Sequence, residues 1–168
     1  LMTNTVRLIG CIKSAKQDRN IVSNPCMVLL PLSPNHGVFG GDLLYAESKL
    51  SLQSMSQKCH SEVLTDLLFI VGVAIGWTRG TALMATQDEV VPGIESNDTR
   101  TFTTREMAFN MAGVLHPAVA SFAERAPILA DFSGGMSQCA GGALKACVDG
   151  IRVDIAGEKK LAKALAIE

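Results

Sequence analysis

The longest apolar run in the chain, Leu67 to Trp77, is eleven residues with Gly72 and Gly76 inside it. It is too short to cross a bilayer, which takes about 20 apolar residues. Gly72, Gly76 and Gly80 repeat at the small-residue spacing of membrane helix pairs, but the apolar length that such a pair needs is lacking. An unbroken run of this kind, rich in Val and Ile, reads instead as a strand buried on both faces, which is the signature of a parallel sheet. A parallel sheet in turn demands helical crossovers before and after each strand.

The flanking sequence supplies them. Residues 2–17 place Val6, Leu8, Ile9, Ile12 and Ala15 at roughly helical spacing. Residues 26–32 (CMVLLPL) form a short apolar run read as a buried strand despite Pro31. Residues 33–42 are turn formers, and Asp42 is placed to cap a helix from about Leu44 to Glu62. A strand at about 68–75 follows. The stretch 76–98 is irregular, with one short helix around Ala82 to Ala85. Thr103 and Glu106 have capping-box spacing and open a helix to about Leu115. A third strand at 128–132 runs into Ser133-Gly134-Gly135, and the tail after Gly142 is helical. This alternation predicts an α/β domain with a parallel sheet and helices on both faces. Three strands are visible, about half of what a doubly wound sheet usually has.

With 168 residues and a net charge of -1, the chain is large enough for one core and carries no basic stripe. Nucleic acid is therefore not an expected partner. Cys11, Cys26, Cys59, Cys139 and Cys147 are odd in number and form no C-x-x-C pair, as expected of reduced thiols in a cytoplasmic protein. The chain opens in what reads as a helix, without the pattern of a signal peptide or charged targeting region, and is expected to begin inside something larger.

The chain has one tyrosine, Tyr45, and Lys49 lies four residues later. On a helix the two share a face. Alone, such a pair more often means a half-buried aromatic and a solvated lysine. Ser33, at the end of the preceding strand, and Asn4, on the helix before it, enlarge the set. These types suit carbonyl reduction. A phenol beside an ammonium can release a proton from a pKa lowered from about 10. Ser33 can hold the carbonyl oxygen, Lys49 can bond ribose hydroxyls, and Asn4 could order a water that returns the proton to Lys49.

The stretches LLPLSPNHGVFGGDLLYAESKLSLQSM, AIGWTRGTALM, RTFTTREMAFNMAG and ADFSGG resemble the ketoreductase domain of fungal and bacterial type I fatty acid synthases, over nearly all of residues 1–136. The resemblance implies the C-terminal half of a Rossmann-like doubly wound sheet, with residues 137–168 a helical tail or linker toward the next synthase domain. It implies NADPH-dependent reduction of 3-oxoacyl groups on acyl carrier protein. Ser33, Tyr45, Lys49 and Asn4 take the catalytic roles. Lys49, Gly76, Trp77 and Thr81 meet the nicotinamide end of the cofactor, with Thr78 an alternative to Thr81. It also implies as partners the carrier protein, the remaining synthase domains and a large assembly, with no nucleic acid, membrane or metal. Leu43 and Ala82 stand where the family usually has glycine, and residues 63–67 lack an expected tryptophan.

No glycine-rich turn of the G-x-G-x-x-G kind follows a strand near the start. Gly37, Gly40 and Gly41 are read as turn glycines. The chain alone is thus expected to bind NADPH poorly and to leave an open edge on its first strand. A polyketide ketoreductase fits less well, because of residues 76–81. The reading from another class is a non-catalytic, truncated or structural segment of a megasynthase. Cys59-His60 are adjacent and face different ways, which argues against a metal pair. His36 is read as a turn residue, His116 as a helix end before Pro117, Met107 and Met111 as core, and Lys159, Lys160 and Lys163 as a solvated helix face.

Overall fold

The computed structural model describes residues 1–166 except 22, 38–42, 63, 83, 85–86 and 140–142. Strands β1 (Cys26–Leu32), β2 (Leu68–Ile75) and β5 (Ile128–Phe132) form one parallel sheet in the order β1-β2-β5. Cys26 is in register with Leu68, and Val71 with Ile128. β2 is the middle strand and is buried from Leu68 to Ala74, as its unbroken apolar sequence requires.

Alternation along β2 divides the core. Leu68 and Ile70 point toward helices α1 (Met2–Asp18) and α2 (Tyr45–Ser61), where they meet Ile9, Leu52, Met55 and Cys59. Phe69, Val71 and Val73 point the other way, against Val114 of α4 (Thr104–Val114) and Ala123 of α5 (Pro117–Ala123). Gly72 lies on the first face. A Cβ there would stand 2.8 Å from Leu32 Cδ1 and 3.1 Å from Leu129 Cδ1, so glycine lets the two outer strands close over the middle one. The result is the expected α/β architecture, a partial Rossmann-like sheet with helices on both faces.

The capping box is present in full. Thr103 Oγ1 accepts from Glu106 N at 3.2 Å, and Thr103 N donates to Glu106 Oε2 at 2.7 Å. Other details differ from the sequence reading. The short helix in the irregular stretch is α3, at Val91–Glu95, preceded by a 3-10 turn at Asp88–Val90. Of the span where it was expected, residues 83 and 85 lie outside the described residues. Thr78–Arg79 (β3) and Phe102–Thr103 (β4) form an unanticipated small parallel pair. His116 not only follows the end of α4 but starts α5, its Nδ1 accepting from Ala118 N at 3.2 Å, with Pro117 as the first helical residue. Asp42, the expected cap of α2, lies outside the described residues, as do Gly40 and Gly41. Leu44 occupies the cap position with no side-chain bond.

Helix α6 (Ala143–Leu165) packs on the body. Its Leu144, Val148, Ile151 and Ile155 cover Trp77, Val90, Val91 and Ile94. Gly93 makes room for Ile151, whose Cγ1 would lie 2.6 Å from a Cβ there. Lys159 is not merely solvated: its Nζ meets Glu89 Oε2 at 2.7 Å. Arg152 also hydrogen-bonds Gln87.

Candidate active site

In a parallel sheet all carboxyl ends lie along one edge, and that edge gathers most of the predicted residues. β1 runs into Ser33, β2 into Gly76, and β5 into Ser133-Gly134. The crossover helix α2 returns antiparallel to β1, so its first residue, Tyr45, comes back to the same edge.

One hydrogen bond ties α2 to β1 at this edge. Lys49 Nζ donates to the Pro31 carbonyl at 2.7 Å and lies 5.5 Å from the centre of the Tyr45 ring. Burial without a carboxylate partner pushes the Lys49 ammonium below its ordinary pKa. Tyr45 is 40 % exposed, so among the described residues the site is an open edge. Ser33 is half-buried, and its Oγ accepts from Asn35 N at 3.1 Å. That bond uses a lone pair and leaves the hydroxyl proton to donate elsewhere.

The Pro31 carbonyl is the group that sequence reading missed. Cys26 N donates to Leu67 O at 2.9 Å, so Cys26 faces β2. Alternation then turns the backbone groups of Met27, Leu29 and Pro31 toward the open edge. Proline has no N–H to waste there, and its carbonyl is free to receive Lys49. A proline late in an apolar strand was the available signal for an edge.

Gly76 sits just past the paired ends of β2 and β5. A Cβ would stand 2.7 Å from the Ser133 carbonyl carbon, so no larger residue fits without moving backbone. Trp77 is not at the surface. It is 7 % exposed, inside the cluster under α6, with no hydrogen-bond partner for Nε1 among the described residues. Any contact it makes at the site runs through its backbone. Thr78 Oγ1 donates to Gly76 O at 3.1 Å and Thr81 Oγ1 to Thr78 O at 3.3 Å, so these hydroxyls fix the turn after β2. Asn4 is exposed in the first turn of α1 and makes no side-chain hydrogen bond among the described residues. The structure joins Lys49 to Tyr45 and to β1, but not Asn4 to Lys49.

Leu43, two residues before Tyr45, has φ +54° and is 91 % exposed. It holds a left-handed conformation that glycine adopts freely. Gly37, in the same connection, has φ +81°.

Cys59 is buried, its Sγ donating to Leu68 O at 3.4 Å, and burial raises its pKa. Met107 is buried, and Met111 packs against the cluster of Phe69, Val71 and Val73 on the sheet. All five cysteines are free thiols. Among the described residues, no three His, Cys, Asp or Glu side chains gather as a metal site, and no helix is long and apolar enough to cross a membrane.

No protein-family profile matches the chain. Curated relatives do. The chain is 42 % identical over 168 residues to the fatty acid synthase subunit alpha of Saccharomyces cerevisiae, covering 100 % of this chain and 9 % of that protein. It is 43 % identical over 168 residues to the subunit of the same name from Lachancea kluyveri and 44 % over 169 residues to that of Aspergillus oryzae, with 100 % and 9 % covered in each case. The chain is therefore homologous to one segment of the fungal fatty acid synthase alpha subunit, about a tenth of those proteins' length.

Proposed function

We propose that this chain is the substrate-side half of an NADPH-dependent 3-oxoacyl-[acyl-carrier protein] reductase within a type I synthase, acting in fatty acid biosynthesis. The observation that carries the reading is the Lys49 amine, half-buried, held at the carboxyl edge by Pro31 and set against Tyr45. The homology to a synthase subunit supports it.

In this reading the Ser33 hydroxyl donates to the substrate carbonyl oxygen and holds it near Tyr45. The Tyr45 hydroxyl gives its proton to that oxygen as the alcohol forms. The Lys49 ammonium stabilises the phenolate left behind. Bound NADPH supplies the hydride. The residues present fit its ribose and nicotinamide end. Lys49 has two ammonium protons beyond the one on Pro31, and the glycine at 76 keeps the strand end free of side chain. They do not fit its pyrophosphate, which needs a glycine turn at a helix start that this sequence lacks. Asn4 would order water near Lys49, and the acyl carrier protein would deliver the substrate.

The second reading, a non-catalytic structural segment, is favoured by one observation: among the described residues the sheet has three strands and β1 is open on one side. The test combines this chain with the preceding segment of a fungal fatty acid synthase alpha subunit. NADPH oxidation is followed with a 3-oxoacyl thioester. Tyr45→Phe should slow turnover by about a hundredfold or more. Equal rates for the two proteins overturn the catalytic assignment, and no turnover by either favours the structural reading.

A further inference from the structure

The turn that follows β2 is held by little backbone. β3 and β4 pair over two residues each, Thr78 with Phe102 and Arg79 with Thr103, and Phe102 N donates to Trp77 O at 2.9 Å. A ladder that short does not hold itself. Gly80 follows at φ +74°, its N–H donating to Asp88 Oδ2 at 3.2 Å. Between them Arg79 reaches outward to two helices. Its Nη1 lies 4.0 Å from Glu95 Oε1 at the end of α3, and its Nη2 lies 3.9 Å from Glu106 Oε2 in the first turn of α4. Both carboxylates are already fixed. Glu95 accepts from Thr101 Oγ1, and Glu106 is held by the Thr103 cap. One guanidinium thus spans two helices from different parts of the core, α3 under α6 and α4 on the sheet.

Local stability does not account for an arginine here. Both carboxylates stand beyond hydrogen-bond distance, and Arg79 Nε is buried with no hydrogen-bond partner among the described residues. Partly exposed pairs at that range contribute little, and an unmet buried donor costs stability. What the arrangement supplies is position, because a planar fork with two fixed anchors has one place to sit. We propose that Arg79 is the positioning residue of this turn. It clamps residues 77–80 against α3 and α4 at the carboxyl edge, so that the backbone leaving Gly76 is set for the nicotinamide end of NADPH. The clamp is a property of the chain itself, whereas its bearing on the cofactor rests on the reductase reading.

Two readouts keep the clamp and the reductase reading apart. In the 168-residue chain alone, hydrogen exchange at the Phe102 amide reports the β3–β4 pairing with no cofactor present. Arg79→Met should speed that exchange by about tenfold while amides within β2 exchange as in wild type. Arg79→Lys, a point charge that can serve one carboxylate at a time, should fall between the two. In the chain combined with the preceding synthase segment, Arg79→Met should raise the KM for NADPH by about tenfold and leave the KM for the 3-oxoacyl thioester unchanged. Glu95→Gln keeps an acceptor for Thr101 and removes one anchoring charge. It should move both readouts the same way by a smaller factor, and it carries the test if Arg79→Met does not fold. Phe102 exchange unchanged in these variants overturns the clamp. The two KM values rising together overturn its bearing on the cofactor. A combined wild type without turnover overturns the reductase reading and not the clamp, which the exchange experiment decides.

Discussion

Replacing Leu43 with glycine should stabilise the chain, although glycine removes a large apolar side chain. Leu43 holds φ +54°, a conformation that costs an L-residue about 1–2 kcal/mol. Because the side chain is 91 % exposed, its loss forfeits almost no burial. Against the relief stands the greater freedom of glycine in the unfolded chain, about 0.4–1 kcal/mol. The balance is a gain of about 0.5–1 kcal/mol. With a urea dependence of about 2 kcal/mol per molar, the midpoint should rise by about 0.3–0.5 M. The one tryptophan, Trp77, is buried, so its fluorescence reports unfolding. Leu43→Ala is the control, since alanine keeps the backbone penalty and should stay within about 0.5 kcal/mol of wild type. A glycine variant no more stable than wild type, or an alanine variant as stable as glycine, would refute the argument from backbone conformation.

Two further outcomes follow from the charged groups. Thr103→Ala should cost about 1 kcal/mol through loss of the α4 cap. The Glu106 carboxyl is held below its ordinary range by hydrogen bonds from Thr103 N and Oγ1. Its contribution is present above the ordinary carboxylate pKa and is lost as pH falls through the lowered one. The gap between wild type and Thr103→Ala in urea midpoints should therefore narrow on acidification below about pH 4. Lys49 is the opposite case: burial lowers its pKa from 10.5, so between the lowered value and 10.5 the unfolded chain binds more protons. Wild type should then gain stability relative to Lys49→Met as pH rises through that window, and urea midpoints at a series of alkaline pH values check it.

Much of this fold is legible because single segments carry strong local signals. The apolar continuity of β2 announces a strand with two covered faces, and Thr103 with Glu106 fixes a helix start to the residue. The elements that escaped reading have weak local signals and are held by distant ones. α3 is Val-Pro-Gly-Ile-Glu, a poor helix former, kept helical by Val91 and Ile94 packing under α6. The β3–β4 pair is two residues long on each side. His116-Pro117 marks both an end and a beginning, and the sequence reading took only the first. At the site, the helical spacing of Tyr45 and Lys49 was visible, but the acceptor for Lys49 is a main-chain carbonyl and carries no residue signature. Trp77 lies next to Gly76 in sequence, yet it belongs to the core because a helix seventy residues later covers it.

Pro31 gives the open side of β1 a built-in weak rung. A strand laid along that side finds usable rungs at Met27 and Leu29. At Pro31 it finds no donor, and Lys49 already holds one of the carbonyl's two lone pairs. A ladder growing past that rung loses a donated bond two residues before Ser33, at the carboxyl edge where Lys49 lies beside Tyr45. The same residue that anchors the amine also weakens a neighbouring strand's hold beside it.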